Sequence, residues 1–180
     1  MFVQDGFCHD KGLLDRLADD AAWAALTKLN WWDGWWSCPA RNVWEETVEA
    51  IWRRQQGIEG RIAGFEYWCN TFAAGETPFL GWHHDKDEVL YRETGKVVSP
   101  STGTIFYAYP HQVVGGYLEI SKDDTLTDIE RIEPVFNRLV IFNAAQWHRV
   151  SKVYAGTRRA FLVNLWQNKP KAFDAGDSVA

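Results

Sequence analysis

From residue 62 onward the chain breaks into short runs rich in β-branched and aromatic residues, and this rhythm constrains the fold more than any other feature. The runs fall at 62–72, 80–84, 103–109, 116–121, 129–132, 139–142, 148–152 and 160–166, separated by turn residues such as Gly75, Pro78, Gly95, Pro110, Gly115 and Gly156. Many short strands at this spacing predict a sandwich or barrel. The earlier part of the chain has helical spacing instead. Residues 11–29 place Leu13, Leu14, Leu17, Ala21, Ala24, Ala25 and Leu26 on one apolar face. A second helix is predicted over 42–55, with Val43, Trp44, Thr47, Val48, Ile51 and Trp52 turned inward and Gly57 ending it. The chain is therefore expected to be mainly β with N-terminal helices, an antiparallel double-sheet jelly roll braced by those helices. The 180 residues suffice for one core without staples. A single domain is expected, with helical support over about 1–57, a β core over about 62–166 and a short tail at 171–180.

Charge narrows the partners. The net charge is −5, and no Lys/Arg run exceeds the pairs Arg53-Arg54 and Arg158-Arg159, so no basic footprint for nucleic acid is present. An acidic surface also suits anionic membranes poorly, and no apolar run approaches the length of a bilayer span or an export signal. Cys8, Cys38 and Cys69 are an odd set without metal-type spacing. Free thiols and no export signal predict a cytoplasmic protein. The 11 tryptophans are unusual, and four lie in Trp31-Trp32-Asp33-Gly34-Trp35-Trp36. They either fill a core beside the helices or wall a substrate cleft.

The chemistry-bearing residues sit among the strands. In a strand, residues two apart share a face, so His83 and Asp85 project together while Trp82 and His84 face the other way. With His148 from a distant strand, two imidazoles and one carboxylate can cap one face of a ferrous ion and leave the opposite face open. Arg158, ten residues after His148, can hold the far carboxylate of a diacid bound to that face. Arg159 is the alternative for that role, with Arg158 then a surface ion-pair residue, and strand parity sends the two to opposite faces. Taken singly, His148 also reads as a satisfied core histidine, Asp85 as a turn residue and His84 to Glu88 as a solvated turn. His111, beside Pro110, reads as exposed and inert.

The order of further segments adds specificity. Thr104-Ile105-Phe106-Tyr107-Ala108-Tyr109-Pro110 is followed by Gly115-Gly116-Tyr117-Leu118-Glu119-Ile120 and by Ile132-Glu133-Pro134-Val135-Phe136-Asn137-Arg138-Leu139-Val140-Ile141-Phe142. Then come His148-Arg149-Val150, Gly156-Thr157-Arg158 and Leu162-Val163-Asn164-Leu165-Trp166. Over residues 62–166 this series resembles the catalytic domain of the prolyl 4-hydroxylase-like Fe(II)/2-oxoglutarate oxygenases. The resemblance implies a cupin-like double-stranded β-helix with iron held by His83, Asp85 and His148. It implies that Arg158 and Tyr107 bind the distal carboxylate of 2-oxoglutarate, with Tyr67 and Asn70 as weaker candidates from the first strand. Fe(II), 2-oxoglutarate and O2 are the implied cofactors, with ascorbate as a helpful reductant. Asp85, lost in the family's halogenases, favours hydroxylation. Asn164 stands where nucleic-acid demethylases of the wider superfamily carry a second arginine.

The function expected is hydroxylation of an unactivated C–H in a small polar substrate, a free amino acid or derivative. Asp87 and Glu88 are expected to fix its charged groups, with Trp82 and Trp166 walling the pocket. The alternatives are a peptidyl, prolyl-type hydroxylase, a cupin-type metal enzyme that does not use 2-oxoglutarate, and a sugar-binding jelly roll without catalysis. The modest chain length leaves little room for a peptide-binding module and favours the small molecule.

Overall fold

The computed structural model describes residues 1–26, 28–55, 57–76 and 81–174. Strand β1 (Phe2–Gln4) precedes helices α1 (Lys11–Leu17) and α2 (Asp20–Ala25). The single helix expected over 11–29 is thus two. Asp19 starts α2 by accepting from the Ala21 N–H, while the Trp23 indole donates to the Leu17 carbonyl at 2.7 Å and occupies the end of α1. After β2 (Asn30–Trp32), helix α3 (Val43–Trp52) opens at Asn42, whose side-chain oxygen accepts from the N–H groups of Trp44 and Glu45. Strand β3 (Gly64–Ala73) follows, then helix α4 (Glu88–Thr94), in a stretch for which no element was expected. Asp87 caps that helix through the Leu90 N–H, and Gly95 closes it in the left-handed conformation at φ 71°. Strands β4 (Thr102–Phe106), β5 (Val113–Gly115), β6 (Leu118–Ser121), β7 (Ile129–Ile132), β8 (Leu139–Phe142), β9 (His148–Val150) and β10 (Val153–Trp166) complete the series.

All pairings are antiparallel. The major sheet runs β1-β8-β4-β10-β3-β2, with β5 on the early part of β10, and the minor sheet runs β7-β6-β9. This is the expected jelly roll. The two faces of the major sheet have separate tasks, set by residue parity. Phe65, Tyr67, Phe106, Leu139, Phe161, Val163 and Leu165 face the helices and pack with Leu17, Trp44, Val48 and Trp52. Phe142, Val140, Ile105 and Ala160 face the minor sheet and pack with Leu118, Ile120 and Ile132.

Three of the four clustered tryptophans belong to the helical side, whereas Trp31, paired with Glu66, packs on Phe173. Trp32, Trp35 and Trp36 surround Phe65 with ring centroids 5.8, 5.7 and 5.7 Å away, so the core reading holds. Their indoles brace the outside of the sheet whose other face carries the site. No helix among the described residues is long and apolar enough to cross a membrane.

Candidate active site

Two donor side chains come from segments stitched together by backbone. The His83 N–H donates to the His148 carbonyl at 3.0 Å and the His148 N–H returns to the His83 carbonyl at 2.8 Å. His83 thereby prolongs the minor sheet by one bridge beyond β9. Asp85 is fixed in turn by its N–H to the Ala144 carbonyl at 3.1 Å. The continuous strand expected over 80–84 is not what carries these residues; Leu80 lies outside the described residues, and 84–87 is irregular. His83 joins Asp85 and His148 in one donor cluster, while the His84 ring meets Trp147 at 4.8 Å and also lines the cleft.

The result is one cluster in which donor atoms of His83, Asp85 and His148 all lie within 4.8 Å of one another. The Nε2 atoms of His83 and His148 stand 3.8 and 3.7 Å from the same oxygen, Asp85 Oδ1. Each imidazole spends its other nitrogen on a carbonyl: His83 Nδ1 on Gly81 at 2.8 Å, His148 Nδ1 on Gln146 at 2.9 Å. A carbonyl only accepts, so both Nδ1 atoms carry the proton and both Nε2 lone pairs point into the cluster. Burial lowers the His148 pKa, which keeps its ring neutral and able to donate.

Behind Asp85 stands a polar relay that sequence reasoning missed. Asn164 Nδ2 donates to Asp85 Oδ2 at 3.0 Å and lies 3.3 Å from Glu66 Oε2, which also accepts from the Trp166 indole at 2.9 Å. Glu66 and Asn164 are cross-strand partners on the inner face of β3 and β10. Burial pushes the Glu66 carboxyl up to about 7, opposed by the hydrogen bonds from Trp166 and Asn164. The signal was present: Glu66 is a charged residue between Phe65 and Tyr67, and Asn164 interrupts an otherwise apolar strand.

Deeper between the sheets lies a buried cation. Arg158 is 0% exposed; its Nε donates to the Gly116 carbonyl at 2.9 Å and its Nη2 to the Tyr107 hydroxyl at 3.2 Å. Nη1 is buried with no partner, and among the described residues no carboxylate pairs with this guanidinium. A desolvated charge of this kind is costly until an anion meets it, so the cradle fits a ligand carboxylate. Gly116 permits the approach: its φ is +66°, and a Cβ there would stand 2.9 Å from Arg158 Cδ. Arg159 turns to the other face, pairs with Asp20 and lies over the Tyr109 ring at 4.1 Å, as strand parity required.

A cleft of about 720 Å³ opens over the donor cluster, lined among others by Glu66, Trp68, Asn70, Lys86, Glu88 and Leu162. Several expected site residues fall elsewhere. Tyr67 faces the helices and donates to Glu45 Oε1 at 3.1 Å, because its parity is opposite to that of Glu66 and Asn70. Asp87 is spent on structure, capping α4 and accepting the Lys171 N–H at 2.7 Å. Trp82 is not among the residues that line the cleft; it lies beneath the Arg149 guanidinium, which is 4.5 Å from its ring. Trp166 is 2% exposed and serves Glu66 rather than a substrate wall. Glu88 does line the cleft, paired with Lys86 at 2.8 Å. His111 is half-buried rather than exposed, with its ring 6.3 Å from that of Tyr107 and its Nε2 3.2 Å from the Pro134 carbonyl.

An antiparallel double sheet that gathers two imidazoles and a carboxylate between its walls has the donor set of the non-haem iron oxygenases. Residues 67–167, more than half of the chain, match the family model described as the 2OG-Fe(II) oxygenase superfamily. The chain belongs to that superfamily; it is a 2-oxoglutarate-dependent dioxygenase, and the family uses Fe(II), 2-oxoglutarate and O2. The cupin-type and non-catalytic alternatives are thereby set aside. Among solved structures, a Pseudomonas putida prolyl-4-hydroxylase is similar with TM-score 0.65 and 16% identity, over 93% of this chain and 92% of that one. A Trichoplax adhaerens prolyl hydroxylase, solved with a hypoxia-inducible-factor peptide fragment, gives TM-score 0.60 and 15% identity over 97% and 86%. The collagen prolyl hydroxylase of Paramecium bursaria Chlorella virus-1 gives 0.60 and 15% over 93% and 90%. No match was found among curated proteins.

Proposed function

We propose that His83, Asp85 and His148 hold the ferrous ion, that Arg158 and Tyr107 bind the distal carboxylate of 2-oxoglutarate, and that the enzyme hydroxylates a small polar molecule, a free amino acid or close derivative. The observation that carries the reading is the pairing of an open donor cluster with a buried, anion-less guanidinium between the same two sheets. When bound, the iron and 2-oxoglutarate supply the oxidising chemistry: O2 is consumed, 2-oxoglutarate becomes succinate and CO2, and one oxygen atom enters a substrate C–H. The chain's own residues bind and orient. His83 and His148 offer Nε2 lone pairs held in direction by carbonyls, and Asp85 offers Oδ1 while Asn164 occupies Oδ2. Arg158 supplies charge and Tyr107 a hydroxyl to one carboxylate. Asn70 lines the cleft over the donor cluster and is proposed as a further polar contact to the co-substrate.

The cleft supports a small substrate. Its volume of about 720 Å³ falls within the range of small-molecule sites, and its mouth mixes Trp68 with Lys86 and Glu88. We take the described chain as one catalytic unit, because residues of α1, α2, α3, β3, β4 and β10 share one core. The test incubates the protein with Fe(II), ascorbate, 2-oxoglutarate and panels of amino acids and prolyl peptides, and follows succinate and hydroxylated product by mass spectrometry. Stimulation by free amino acids is the expected result. Stimulation by prolyl peptides alone would replace the substrate assignment, and product formation without any 2-oxo acid would overturn the Arg158 assignment.

A further inference from the structure

Between the two sheets Arg158 lacks an anion, and in the cleft Glu66 lacks a cation among the described residues. Glu66 lies on the inward face of β3, between two residues that face the helices, and lines the cleft together with His83, Asp85 and His148. Its two oxygens differ. Oε2 is saturated by the Trp166 indole at 2.9 Å and the Asn164 amide at 3.3 Å. Among the described residues Oε1 accepts no hydrogen bond, and no Lys, Arg or His forms an ion pair with this carboxyl. A half-buried carboxyl without a cation avoids the cost of its charge by holding a proton, and an ammonium group beside it would let it ionise instead. The same Asn164 amide touches Asp85 Oδ2 at 3.0 Å, so Glu66 stands one side chain away from the donor cluster.

We infer that Glu66 Oε1 receives the ammonium group of the substrate, making this a dioxygenase for amine-bearing molecules. The inference rests on the proposed hydroxylase reading and narrows its substrate class. Trp68, two residues further along the same face, lines the cleft and offers an aromatic ring to the same cation. Glu66 and Arg158 then read opposite charges of two different ligands: the carboxyl takes the substrate's amine, the guanidinium takes the co-substrate's acid. The residues that the charge pattern of the sequence offered for this role are otherwise engaged, Asp87 with α4 and Glu88 with Lys86.

The experiment uses the full chain loaded with Mn(II) and 2-oxoglutarate without turnover. Binding of the standard amino acids, each beside its N-acetyl form, is followed by intrinsic tryptophan fluorescence and by calorimetry. The free amine is expected to bind at least about tenfold more tightly than its N-acetyl form. Glu66→Gln, which keeps an acceptor for Trp166, is expected to erase that preference, and Glu66→Asp to retain part of it. Binding of Mn(II) and 2-oxoglutarate to each variant reports separately on the site described above. Equal binding of amine and N-acetyl forms by the wild type overturns the inference and leaves the hydroxylase reading standing. Loss of Mn(II) or 2-oxoglutarate binding in Glu66→Gln overturns it too, by making Glu66 a support for Asn164. If the wild type binds neither Mn(II) nor 2-oxoglutarate, it is the hydroxylase reading that fails.

Discussion

Asn164 donates its side-chain amide to Asp85 Oδ2 at 3.0 Å, leaving Oδ1 as the oxygen that faces both imidazoles. An outer contact of this kind fixes which carboxylate oxygen meets a metal. Asn164→Ala should therefore weaken Fe(II) or Mn(II) binding by roughly 10- to 100-fold while the fold survives. Metal titration of the purified variant checks this, and unchanged affinity would show that Asp85 orients itself unaided.

Alanine at His83, Asp85 or His148 should abolish succinate formation with the circular dichroism spectrum intact. His84→Ala is the matched control, because its ring packs on Trp147 and lines the cleft without joining the donor cluster. Activity lost in His84→Ala and kept in His83→Ala would reverse the assignment.

Arg158→Ala should raise the 2-oxoglutarate requirement by about one to two orders of magnitude, the equivalent of roughly 1.5–3 kcal/mol for a charge-assisted contact. Tyr107→Phe should act in the same direction more weakly. Gly116→Ala should mimic them without touching the charge, since a Cβ would stand 2.9 Å from Arg158 Cδ at a φ of +66°. Steady-state kinetics against 2-oxoglutarate separate the three, and a normal requirement in Arg158→Ala would remove the residue from the site.

The carboxyl of Glu66 makes a pH prediction. Burial raises it from its ordinary value of 4.5 to about 7. The unfolded chain loses this proton first, so the folded metal-free protein gains most from Glu66 below about 4.5, and that contribution is lost as the pH rises through about 7. The shift corresponds to roughly 3 kcal/mol. Urea midpoints of wild type and Glu66→Gln should thus diverge between about pH 5 and pH 8, the wild type losing more. Parallel curves would mean that the carboxyl is ionised throughout.

The sheet core was legible because its signal is local and periodic. The expected runs at 129–132 and 139–142 coincide with β7 and β8, and parity placed Arg158 and Arg159 on opposite faces. The resemblance supplied the order of ligands. What escaped has physical causes. Asp19 divides a continuous apolar pattern because a cap and the Trp23 indole outweigh helix propensity there. Asp87 was expected to bind substrate because nothing local shows that it joins α4 to the segment at Lys171. Tyr67 was misplaced because its register is fixed only by pairing with Val163. Glu66 and Asn164 acquire meaning only across that same pairing.

The two walls of the cavity are unequal. Arg158, Asn164 and Glu66 stand on the broad sheet, whereas His148 lies on the edge of the minor sheet and His83 hangs from it by a single bridge. Local opening free energies are lowest where few backbone bonds and few neighbours hold a segment. The stretch around His83 and Asp85 is such a place, and a metal that binds only its closed form stabilises it by mass action. Loading should therefore appear as slowed amide exchange concentrated at His83, Asp85 and His148, with the strands of the broad sheet almost silent. Occupancy becomes readable as a local change in breathing before any substrate is known.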